Sequence, residues 1–455
     1  MRREVTLAGG IEAVARRIAA SDSADAWCWL DGAAPAPGER AVSYLGIATE
    51  VIQSERGRER DFLTRITGDA APSRDEGFFG GWIVALGYEF GVALLGLRPA
   101  LEEVASGFAM RVDVVLAVPS DSAARATGSA EGTQEGNAVI GELRGPSHAA
   151  IDAWLARHGD LLVGAPVAAQ SRNEPQASDL TPKWGRTDTE YAAEVAACKR
   201  AIREGDAYVL CLTDAAEVAG TFDPLALFLR LRATGAASRG GVLVTPGRSL
   251  VTASPERFLT VQGRRVATHP IKGTRPRGST PERDLALASD LEQDPKERAE
   301  NLMIVDLMRN DLSRVCLPGS VRVTGFLRVE THPHVHQLVS TVSGMLAPGN
   351  GVADLVAAAF PGGSMTGAPK RRAVEILSEL ERRPRGLYAG CFGWIDRSGD
   401  AELAMSIRGI ELREGRAIVG AGGGVTADSA LEHEVAEKHL KAAALFDALR
   451  RDASV

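Results

Sequence analysis

The sequence predicts an α+β fold, in which strands and helices are mixed without the regular alternation of a repeating βαβ sheet. Short apolar runs of strand length follow one another after residue 205, among them YVLCLT (208–213), GGVLVTP (240–246) and RFLTVQ (257–262). Helical segments with recognisable start signals interrupt these groups of strands at irregular intervals. The two observations together favour α+β, or mixed α/β, over a repeating βαβ arrangement.

The N-terminal region predicts short strands with a helix between them. AWCWLDG (26–32) and GGWIVALGYEFG (80–91) are strand-like, whereas TEVIQSERGRERDFLTRI (49–66) is helical.

Two stretches rich in small and polar residues then follow. Residues 119–147 predict a loop and residues 163–188 a domain linker, with the short helix IDAWLARHGDLL (151–162) between them. We therefore expect an N-terminal region, 1–165, and a second region, 187–450.

Helix signals are clearer in the second region. Thr187 and Glu190 form a capping box ahead of a helix that Gly205 ends. Thr280 with Pro281, and Asp294 with Pro295, each mark a helix start, and a final helix begins near Ser429. Four later segments predict strands: VHQLVSTVSGML (335–346), GCFGWID (390–396), AELAMSIRGIEL (401–412) and RAIVGAGGG (416–424).

Composition excludes several classes of function. Of the 455 residues, 45% are hydrophobic and 24% charged, as in soluble globular proteins. The net charge of −7 argues against general affinity for nucleic acids or anionic membranes. The N-terminus lacks the apolar core of a signal peptide, no uncharged run approaches membrane-spanning length, and the five cysteines have no metal-ligand spacing. We expect a cytoplasmic protein with reduced, mostly buried thiols.

A lysine and a glutamate flank a predicted hairpin. In ASPERFLTVQGRRVATHPIKG the chain turns around Gly263, so Glu256 and Lys272 fall at the open ends of the two strands. A lysine beside a carboxylate in a closed pocket serves as a nucleophile, with the carboxylate as acid. An ion pair at the hairpin end is the alternative, and the pattern alone favours it.

Two acidic pairs stand three residues apart on predicted helices. Glu297 and Glu300 form one pair, and Glu434 and Glu437 the other, so each pair shares a helix face. Two facing pairs would suit Mg²⁺. A solvated helix face is the alternative for each: Glu437 can pair with Lys441, and Asp294 with Glu297 can form a capping box.

Two glycine-rich segments, FPGGSMTGAPKRRAVEIL (360–377) and VGAGGGVTADSALEHE (419–434), run through turns into helices. Free backbone N–H groups at such helix starts bind anions, although glycine turns that only connect elements are common. Neither segment has a P-loop or the G-x-G-x-x-G pattern, so nucleotide binding is set aside.

Together these segments resemble the chorismate-utilising enzymes, which include anthranilate, aminodeoxychorismate, isochorismate and salicylate synthases. The segments that carry the resemblance run in family order from about residue 188: HPIKGTRPRG, DPKERAENLMIVDLMRNDLSRV, FPGGSMTGAPKRRAVEIL, GLYAGCFGWID, SIRG and GAGGG. The N-terminal half matches more loosely, through WLDG, SYLG and GGWIVALGYEFG. The resemblance implies a two-subdomain sandwich of largely antiparallel sheets with helices outside, like that of anthranilate synthase component I.

Position 272 discriminates within the family. Anthranilate synthases usually read PIAGTRPRG there, whereas large subunits of aminodeoxychorismate synthases typically read PIKGTRPRG, as this chain does. The resemblance implies that Lys272 adds to C2 of chorismate, so that ammonia enters at C4 as the lysine leaves. The product is then 4-amino-4-deoxychorismate, the precursor of p-aminobenzoate and folate.

The resemblance also assigns the remaining site residues. Glu256 becomes the acid for the departing hydroxyl; Glu300 and Glu437 hold Mg²⁺ directly, and Glu297 and Glu434 hold it through water. Substrate contacts are implied for two groups of residues: Gly273, Thr274, Gly422, Gly424 and Lys441 at the ring carboxylate, and Tyr388 and Arg408 at the enolpyruvyl carboxylate. Ser364 and Thr366 line the pocket, and Tyr388 has the alternative of packing in the core.

The chain departs from the family pattern at two positions. Val209 stands where amine-using members usually have glutamine and where isochorismate and salicylate synthases have the lysine that activates water. Gln337 stands where the family often has histidine, and the adjacent His336 should point to the other face of its strand.

The sequence contains no glutaminase half with a G-x-C-x-G nucleophile turn, so the resemblance implies ammonia from a separate glutamine amidotransferase subunit. Two alternatives remain open: an anthranilate synthase large subunit that carries lysine at 272, and a non-catalytic homologue that binds chorismate. An RNA-binding loop at KGTRPRG is opposed by the acidic charge and the lack of interleaved aromatics.

Overall fold

The computed structural model describes residues 1–22, 24–32, 42–68, 76–119, 139–165, 180–235, 237–332 and 334–450. The strands of the N-terminal region are β1 (Arg2–Leu7), β2 (Trp27–Asp31), β3 (Val42–Ile47), β4 (Glu50–Gln53), β5 (Gly81–Leu86), β6 (Gly107–Val112), β7 (Val115–Pro119) and β8 (Val139–Arg144). Its helices are α1 (Gly10–Ala19), α2 (Glu59–Thr67), α3 (Tyr88–Leu94), α4 (His148–His158) and α5 (Asp160–Val163).

The second region adds further strands and helices. Its strands are β9 (Lys183–Trp184), β10 (Val209–Ala219), β11 (Arg239–Thr245), β12 (Arg248–Ser254), β13 (Arg257–Gln262), β14 (Arg265–Thr268), β15 (Ile271–Pro276), β16 (Arg322–Thr331), β17 (Val335–Met345), β18 (Gly367–Ala368), β19 (Gly390–Asp396), β20 (Ala401–Ser406), β21 (Gly409–Arg413) and β22 (Arg416–Val425). Its helices are α6 (Asp188–Arg203), α7 (Pro224–Thr234), α8 (Pro281–Gln293), α9 (Pro295–Ser313), α10 (Val352–Ala359), α11 (Lys370–Glu381) and α12 (Leu431–Arg450), with a 3₁₀ turn at Gly363–Met365.

The strands form two antiparallel sheets. The first has the order β1-β8-β7-β3-β2-β11-β12-β21-β22-β10-β18, with β9 also on β10. The second has the order β15-β17-β14-β13-β20-β19-β5-β6-β4, with β16 also on β17. The two regions, 1–165 and 187–450, share both sheets, since β2 pairs with β11 and β5 with β19. The boundary between them stays a prediction, and residues 166–179 of the expected linker lie outside the described residues.

The two sheets pack face to face, with helices on the outer faces. Residues of both sheets share one buried cluster, in which Trp394 of β19 stacks on Phe78 with centroids 5.6 Å apart and meets the edge of Tyr44 of β3 at 6.3 Å. Two further clusters pack the outer face of each sheet against helices. The expected α+β sandwich of antiparallel sheets with outer helices is confirmed.

Helix starts follow the capping chemistry seen in the sequence. Thr187 and Glu190 form the capping box at α6, and Thr280 and Asp294 accept from backbone N–H groups at the starts of α8 and α9. Gly205, with φ +87°, follows the end of α6. No helix in the described ranges combines the length and apolarity that a bilayer crossing requires.

Four expectations for secondary structure were wrong. The segment 49–66 is not one helix, because its first part is β4, which pairs with β6 through Val51 and Ile52. GGWIVALGYEFG ends in α3 rather than continuing as strand, and AELAMSIRGIEL is two strands divided at Ile407 and Arg408. The expected loop 119–147 contains β8, which pairs with both β1 and β7, whereas its residues 120–138 lie outside the described part.

Candidate active site

The predicted hairpin around Gly263 is confirmed, and it leads to an irregular strand that carries Lys272. β13 pairs with β14 across the turn. The following strand, β15, pairs with β17 at Ile271 and again at Thr274, with a register shift between them. Gly273 occupies the irregularity at φ +85°, and a Cβ there would stand 2.8 Å from Leu291 and 3.1 Å from Glu297. Glycine is therefore required where β15 passes the adjoining helices.

The Lys272 amine faces the glycine-rich strand β22. Its Nζ lies 3.8 Å from the point where a Cβ on Gly424 would stand, and the Val209 side chain lies 3.5 Å from the same point. Gly424 itself pairs with Cys211 of β10. Lys272 is half-buried, so the amine sits at an apolar wall formed by β10 and β22.

Glu256 is buried at the end of β12, with 8% of its surface exposed. Its Oε1 accepts a hydrogen bond of 2.8 Å from Ser364 Oγ. Burial raises its pKa to about 7, while the Ser364 hydroxyl and the charge of Lys272 oppose that rise. The carboxyl thus bonds to a hydroxyl while standing close enough to Lys272 to feel its charge.

Glu434 and Glu437 lie on the first turns of α12. The Ser429 hydroxyl donates to Glu434 Oε1 at 2.7 Å, whereas Oε2 is buried without a hydrogen-bond partner. Burial raises the pKa of Glu434. Although burial favours the neutral form of Glu437, the ammonium of Lys441, 2.5 Å away, holds the pKa of Glu437 below its usual value. The i, i+4 ion pair considered from the sequence is therefore present.

Glu297 and Glu300 lie on the first turns of α9. Asp294 caps this helix by accepting from the backbone N–H of Glu297 at 3.1 Å, which is one half of the capping box considered from the sequence. Burial and the charge of Glu300 raise the pKa of Glu297.

The Lys296 ammonium links the two acidic pairs. It lies 3.9 Å from Glu300; its charge opposes the rise that burial causes in the pKa of Glu434 and helps to hold the pKa of Glu437 low. Within the described part of the chain, no three His, Cys, Asp or Glu side chains are already grouped for a metal. The donor set nevertheless fits a hard divalent cation, because it is all carboxylate and one buried oxygen has no partner among the described residues. The nearby ammonium of Lys296 belongs to a side chain that is 71% exposed.

The segment GAGGG lies within β22, which confirms the strand predicted for RAIVGAGGG, and the turn towards the last helix comes after it. Gly422 pairs with Thr213 of β10, and a Cβ on Gly422 would stand 2.1 Å from the Leu212 carbonyl oxygen. A Cβ on Gly423 would stand 2.7 Å from Glu434 Oε2. The glycines thus allow strands and carboxylates to approach β22 closely, while α12 begins only at Leu431.

Tyr388 lies against the middle of β22, and Arg408 contacts α12. A Cβ on Gly420 would fall 2.1 Å from the Tyr388 ring, so the ring lies directly on β22. Arg408 has φ +52°, a strained backbone for a residue with a side chain, and donates to the Lys441 carbonyl at 3.3 Å. Burial lowers the pKa of Arg408, and the phenol of Tyr388 and Glu437 oppose it.

Three further residues predicted to contact the substrate are Lys441, Thr366 and Thr274. The first two already donate hydrogen bonds to backbone carbonyls of the protein. Lys441 donates to the Gly422 carbonyl at 2.9 Å. The hydroxyl of Thr366 donates to the carbonyls of Gly362 and Gly363, so this side chain closes its own turn. Thr274 is exposed on β15 opposite Gln337.

His336 and Gln337 face opposite sides of β17. His336 is buried and its ring nitrogens contact Asp284 Oδ1 at 2.8 Å and Thr331 Oγ1 at 3.0 Å. It therefore tethers α8 and β16 to the sheet.

Two residues near the site were not identified from the sequence. Lys296 precedes Glu297 and stands one helical turn from Glu300, a spacing that signals contact. Arg275 follows Lys272 by three residues and contacts Asp294 at 2.8 Å. Both are charged residues that lie in the same segments as predicted site residues, Lys296 beside Glu297 and Arg275 three residues after Lys272.

A large cavity lies elsewhere, between the α11–β19 connection and the ends of β10, β21 and β22. It has a volume of about 580 Å³ and is lined by charged side chains. Several of its arginines form ion pairs, such as Arg383 with Asp214 and Arg416 with Glu103. The site around Lys272 is therefore the better candidate for chemistry.

Comparisons with known proteins identify the family of this chain. A family model described as chorismate binding enzyme matches residues 35–447. The chain is 47% identical over 262 residues to aminodeoxychorismate synthase from Streptomyces pristinaespiralis, covering 57% of this chain and 36% of that protein. It is 43% identical over 319 residues to anthranilate synthase component 1 from Arthrobacter globiformis, covering 67% of this chain and 60% of that protein. The chain thus spans between about a third and three fifths of these relatives.

A solved structure shows the same fold. Anthranilate synthase component I from Streptococcus pneumoniae TIGR4 superposes with a TM-score of 0.75 at 27% identity, covering 90% of this chain and 92% of that one.

Proposed function

The chain belongs to the family of chorismate binding enzymes, and on that basis we propose that it aminates chorismate at C4 to give 4-amino-4-deoxychorismate. One observation carries the proposal: an amine, Lys272, faces the glycine strand beside Glu256, a buried carboxyl with a pKa of about 7. A nucleophile and a protonated acid in one site are what displacement of a hydroxyl requires.

In the first step, the neutral amine of Lys272 bonds to C2 of chorismate while the C4–O bond breaks. Glu256 gives its proton to the departing hydroxyl, so that water leaves and a carboxylate remains. In the second step, ammonia bonds to C4 and the C2–N bond breaks, which releases Lys272 as a neutral amine. The new ammonium returns one proton to Glu256. One hydroxyl has then been replaced by one amino group, and both side chains are restored.

The pKa of Glu256 suits both steps. At pH 7 a carboxyl with a pKa of about 7 is roughly half protonated, so it is available as an acid. The Ser364 hydroxyl bonds to its Oε1 and holds the carboxyl in place.

The acidic pairs are proposed to hold Mg²⁺, with Glu300 and Glu437 in direct contact and Glu297 and Glu434 through water. When bound, the cation offsets the negative charge of the ring carboxylate. The unpartnered Oε2 of Glu434 supports this role.

Cationic groups are proposed to receive the carboxylates of the substrate. Lys441, with Gly273, Thr274, Gly422 and Gly424, contacts the ring carboxylate. Arg408 and Tyr388 contact the enolpyruvyl carboxylate, and a guanidinium suits a two-point contact. The strained φ of Arg408 supports a functional role. Ser364 and Thr366 line the remaining wall.

Ammonia is proposed to come from a glutamine amidotransferase subunit that docks on this chain. The relative from Arthrobacter globiformis is named as component 1, which supports a second component. Residues 187–450 are proposed to form the catalytic region and 1–165 the N-terminal region that completes both sheets.

Anthranilate formation is the second candidate, since a relative of that name is 43% identical over 67% of this chain. Incubation of the chain with chorismate, Mg²⁺ and ammonium separates the two. The proposal expects a product that becomes p-aminobenzoate only when a lyase is added. Anthranilate formed without a lyase would instead establish the second candidate.

Lys272→Ala provides the matched control. Digestion of the wild-type chain during turnover should yield a peptide containing Lys272 that carries chorismate less water. The variant should lose both this adduct and C4 amination, and unchanged C4 amination would refute the lysine mechanism.

A further inference from the structure

Arg275 connects the strand of Lys272 to the two helices beside it. Its Nε donates to Asp290 Oδ2 of α8 at 2.8 Å, and its Nη2 donates to Asp294 Oδ2 at the start of α9 at 2.8 Å. Its Nη1 lies 3.5 Å from Glu297 Oε1. One side chain of β15 thus contacts three carboxylates on two other elements.

Asp294 makes this connection rigid. Its Oδ1 accepts from the backbone N–H groups of Lys296 and Glu297 at 2.9 and 3.1 Å, while its other oxygen binds Arg275. The same carboxylate therefore caps α9 and anchors it to β15. Glu297 and Glu300 follow within that first part of the helix, so their direction depends on the cap.

The pairing of β15 is irregular where the strand passes α9. β15 loses its regular pairing between Ile271 and Thr274, and Gly273 brings its backbone directly against Leu291 and Glu297. Arg275 follows the irregularity immediately after Thr274, and its contacts with Asp294 and Glu297 add a side-chain connection between the strand of Lys272 and the start of α9.

We propose that Arg275 is a positioning residue, which holds the acidic pair of α9 in the arrangement that binds a divalent cation next to Lys272. This inference rests on the proposed metal site. It makes a directional claim: Arg275 is a cation, so by charge alone its removal would tighten cation binding. If Arg275 positions the carboxylates, its removal should instead weaken cation binding, because the carboxylates lose their orientation.

Arg277 offers a matched control two residues away. It donates from Nε and Nη2 to the two oxygens of Asp284, both at 2.8 Å, and from Nη1 to the His332 carbonyl at 2.9 Å. Arg277→Gln removes the same charge and an equally well-formed carboxylate contact from the same strand end. Its contacts do not include α9.

The test measures Mn²⁺ binding to the chain by electron paramagnetic resonance without chorismate, together with thermal unfolding. Arg275→Gln should weaken Mn²⁺ binding about ten- to hundredfold, the usual effect of removing a group that orients metal ligands. Arg277→Gln should change it less than about twofold, while the two variants lose similar thermal stability. Arg275→Lys keeps the charge without the forked geometry and should still bind Mn²⁺ more weakly than the wild type.

The outcomes separate this inference from the function on which it rests. Equal or tighter Mn²⁺ binding by Arg275→Gln, with normal binding by the wild type, would overturn the positioning role alone. A wild-type chain that binds no Mn²⁺ would overturn the metal site and the inference together. If Arg275→Gln does not fold, Arg275→Lys decides the question by the same comparison with Arg277→Gln.

Discussion

Glu256 makes the stability of this protein depend on pH in a way that can be calculated. Burial raises its pKa from 4.5 to about 7. Because the folded value lies above the unfolded one, its favourable contribution to stability is fully present below pH 4.5 and is lost as the pH rises through 7. A difference of roughly 2.5 pKa units corresponds to about 3 kcal/mol of unfolding free energy.

Glu256→Gln removes this dependence, because glutamine cannot ionise yet still accepts the hydrogen bond from Ser364. Urea unfolding of the wild type and the variant at pH 5 and pH 8.5 measures the effect. The stability of the variant relative to the wild type should rise by about 2.5 kcal/mol between the two pH values, most of the full difference. An equal difference at both pH values would show that Glu256 is already ionised when buried, and the reasoning would fail.

The same titration should appear in catalysis. If Glu256 is the acid, kcat/KM should fall about tenfold for each pH unit above 7. Ser364→Ala removes a hydrogen bond that favours the ionised form, so the midpoint of this limb should move upward by about one pH unit. A midpoint that does not move, in a folded variant, would separate Glu256 from the proton transfer.

Two further changes test the surroundings of the site, and a third tests a buried ion pair that lines the separate cavity. Gly423→Ala places a Cβ 2.7 Å from Glu434 Oε2. Thermal unfolding should therefore show that the free energy of unfolding falls by about 1–3 kcal/mol, and titration with Mn²⁺ should show weaker binding. Unchanged Mn²⁺ binding would contradict the close approach. Lys296→Gln removes the ammonium that lies near the acidic pairs. Mn²⁺ binding should become severalfold tighter, because a competing positive charge is lost. Weaker binding would mean that Lys296 helps to form the cation site rather than competing with the cation. Arg385→Met leaves Glu381 buried without the partner 2.7 Å away, so urea unfolding should show a loss of about 3–5 kcal/mol, and a loss below 1 kcal/mol would refute the importance of that pair.

The fold was predictable where local chemistry and tertiary packing agree. The caps of α6, α8 and α9 stand at the residues that the sequence marks, since a hydroxyl or carboxylate beside free backbone N–H groups acts locally. β4 and β8 were missed because each is a short strand whose pairing partner lies far away in the sequence. Val139 and Ile140 of β8 are exposed, so the strand has no alternating apolar pattern to reveal it.

The sequence indicated which residues belong to the candidate site better than it indicated how they are arranged. Sequence spacing places Glu434 with Glu437 and Glu297 with Glu300, but it does not show that Lys296 stands between the pairs. The strand RAIVGAGGG is predicted from the sequence, whereas its glycines are assigned there to a turn that leads into the last helix. Within the strand, these glycines allow the Tyr388 ring and strand β10 to lie directly against the backbone of β22. Both groups come from distant parts of the chain, so the local sequence does not reveal this role.

The charges of the site give a reason for substrate and cation to bind together. Besides Glu256 and Arg275, which oppose each other in charge when both are ionised, the site includes four carboxylates and four cationic side chains, namely Glu297, Glu300, Glu434, Glu437, Lys272, Lys296, Lys441 and Arg408. Several of them are buried enough for their pKa values to change, so an unbalanced charge in this site is costly. A divalent cation alone would add two positive charges, and chorismate with its two carboxylates alone would add two negative ones. Bound together they leave the balance unchanged, so each should raise the affinity of the site for the other by the same factor.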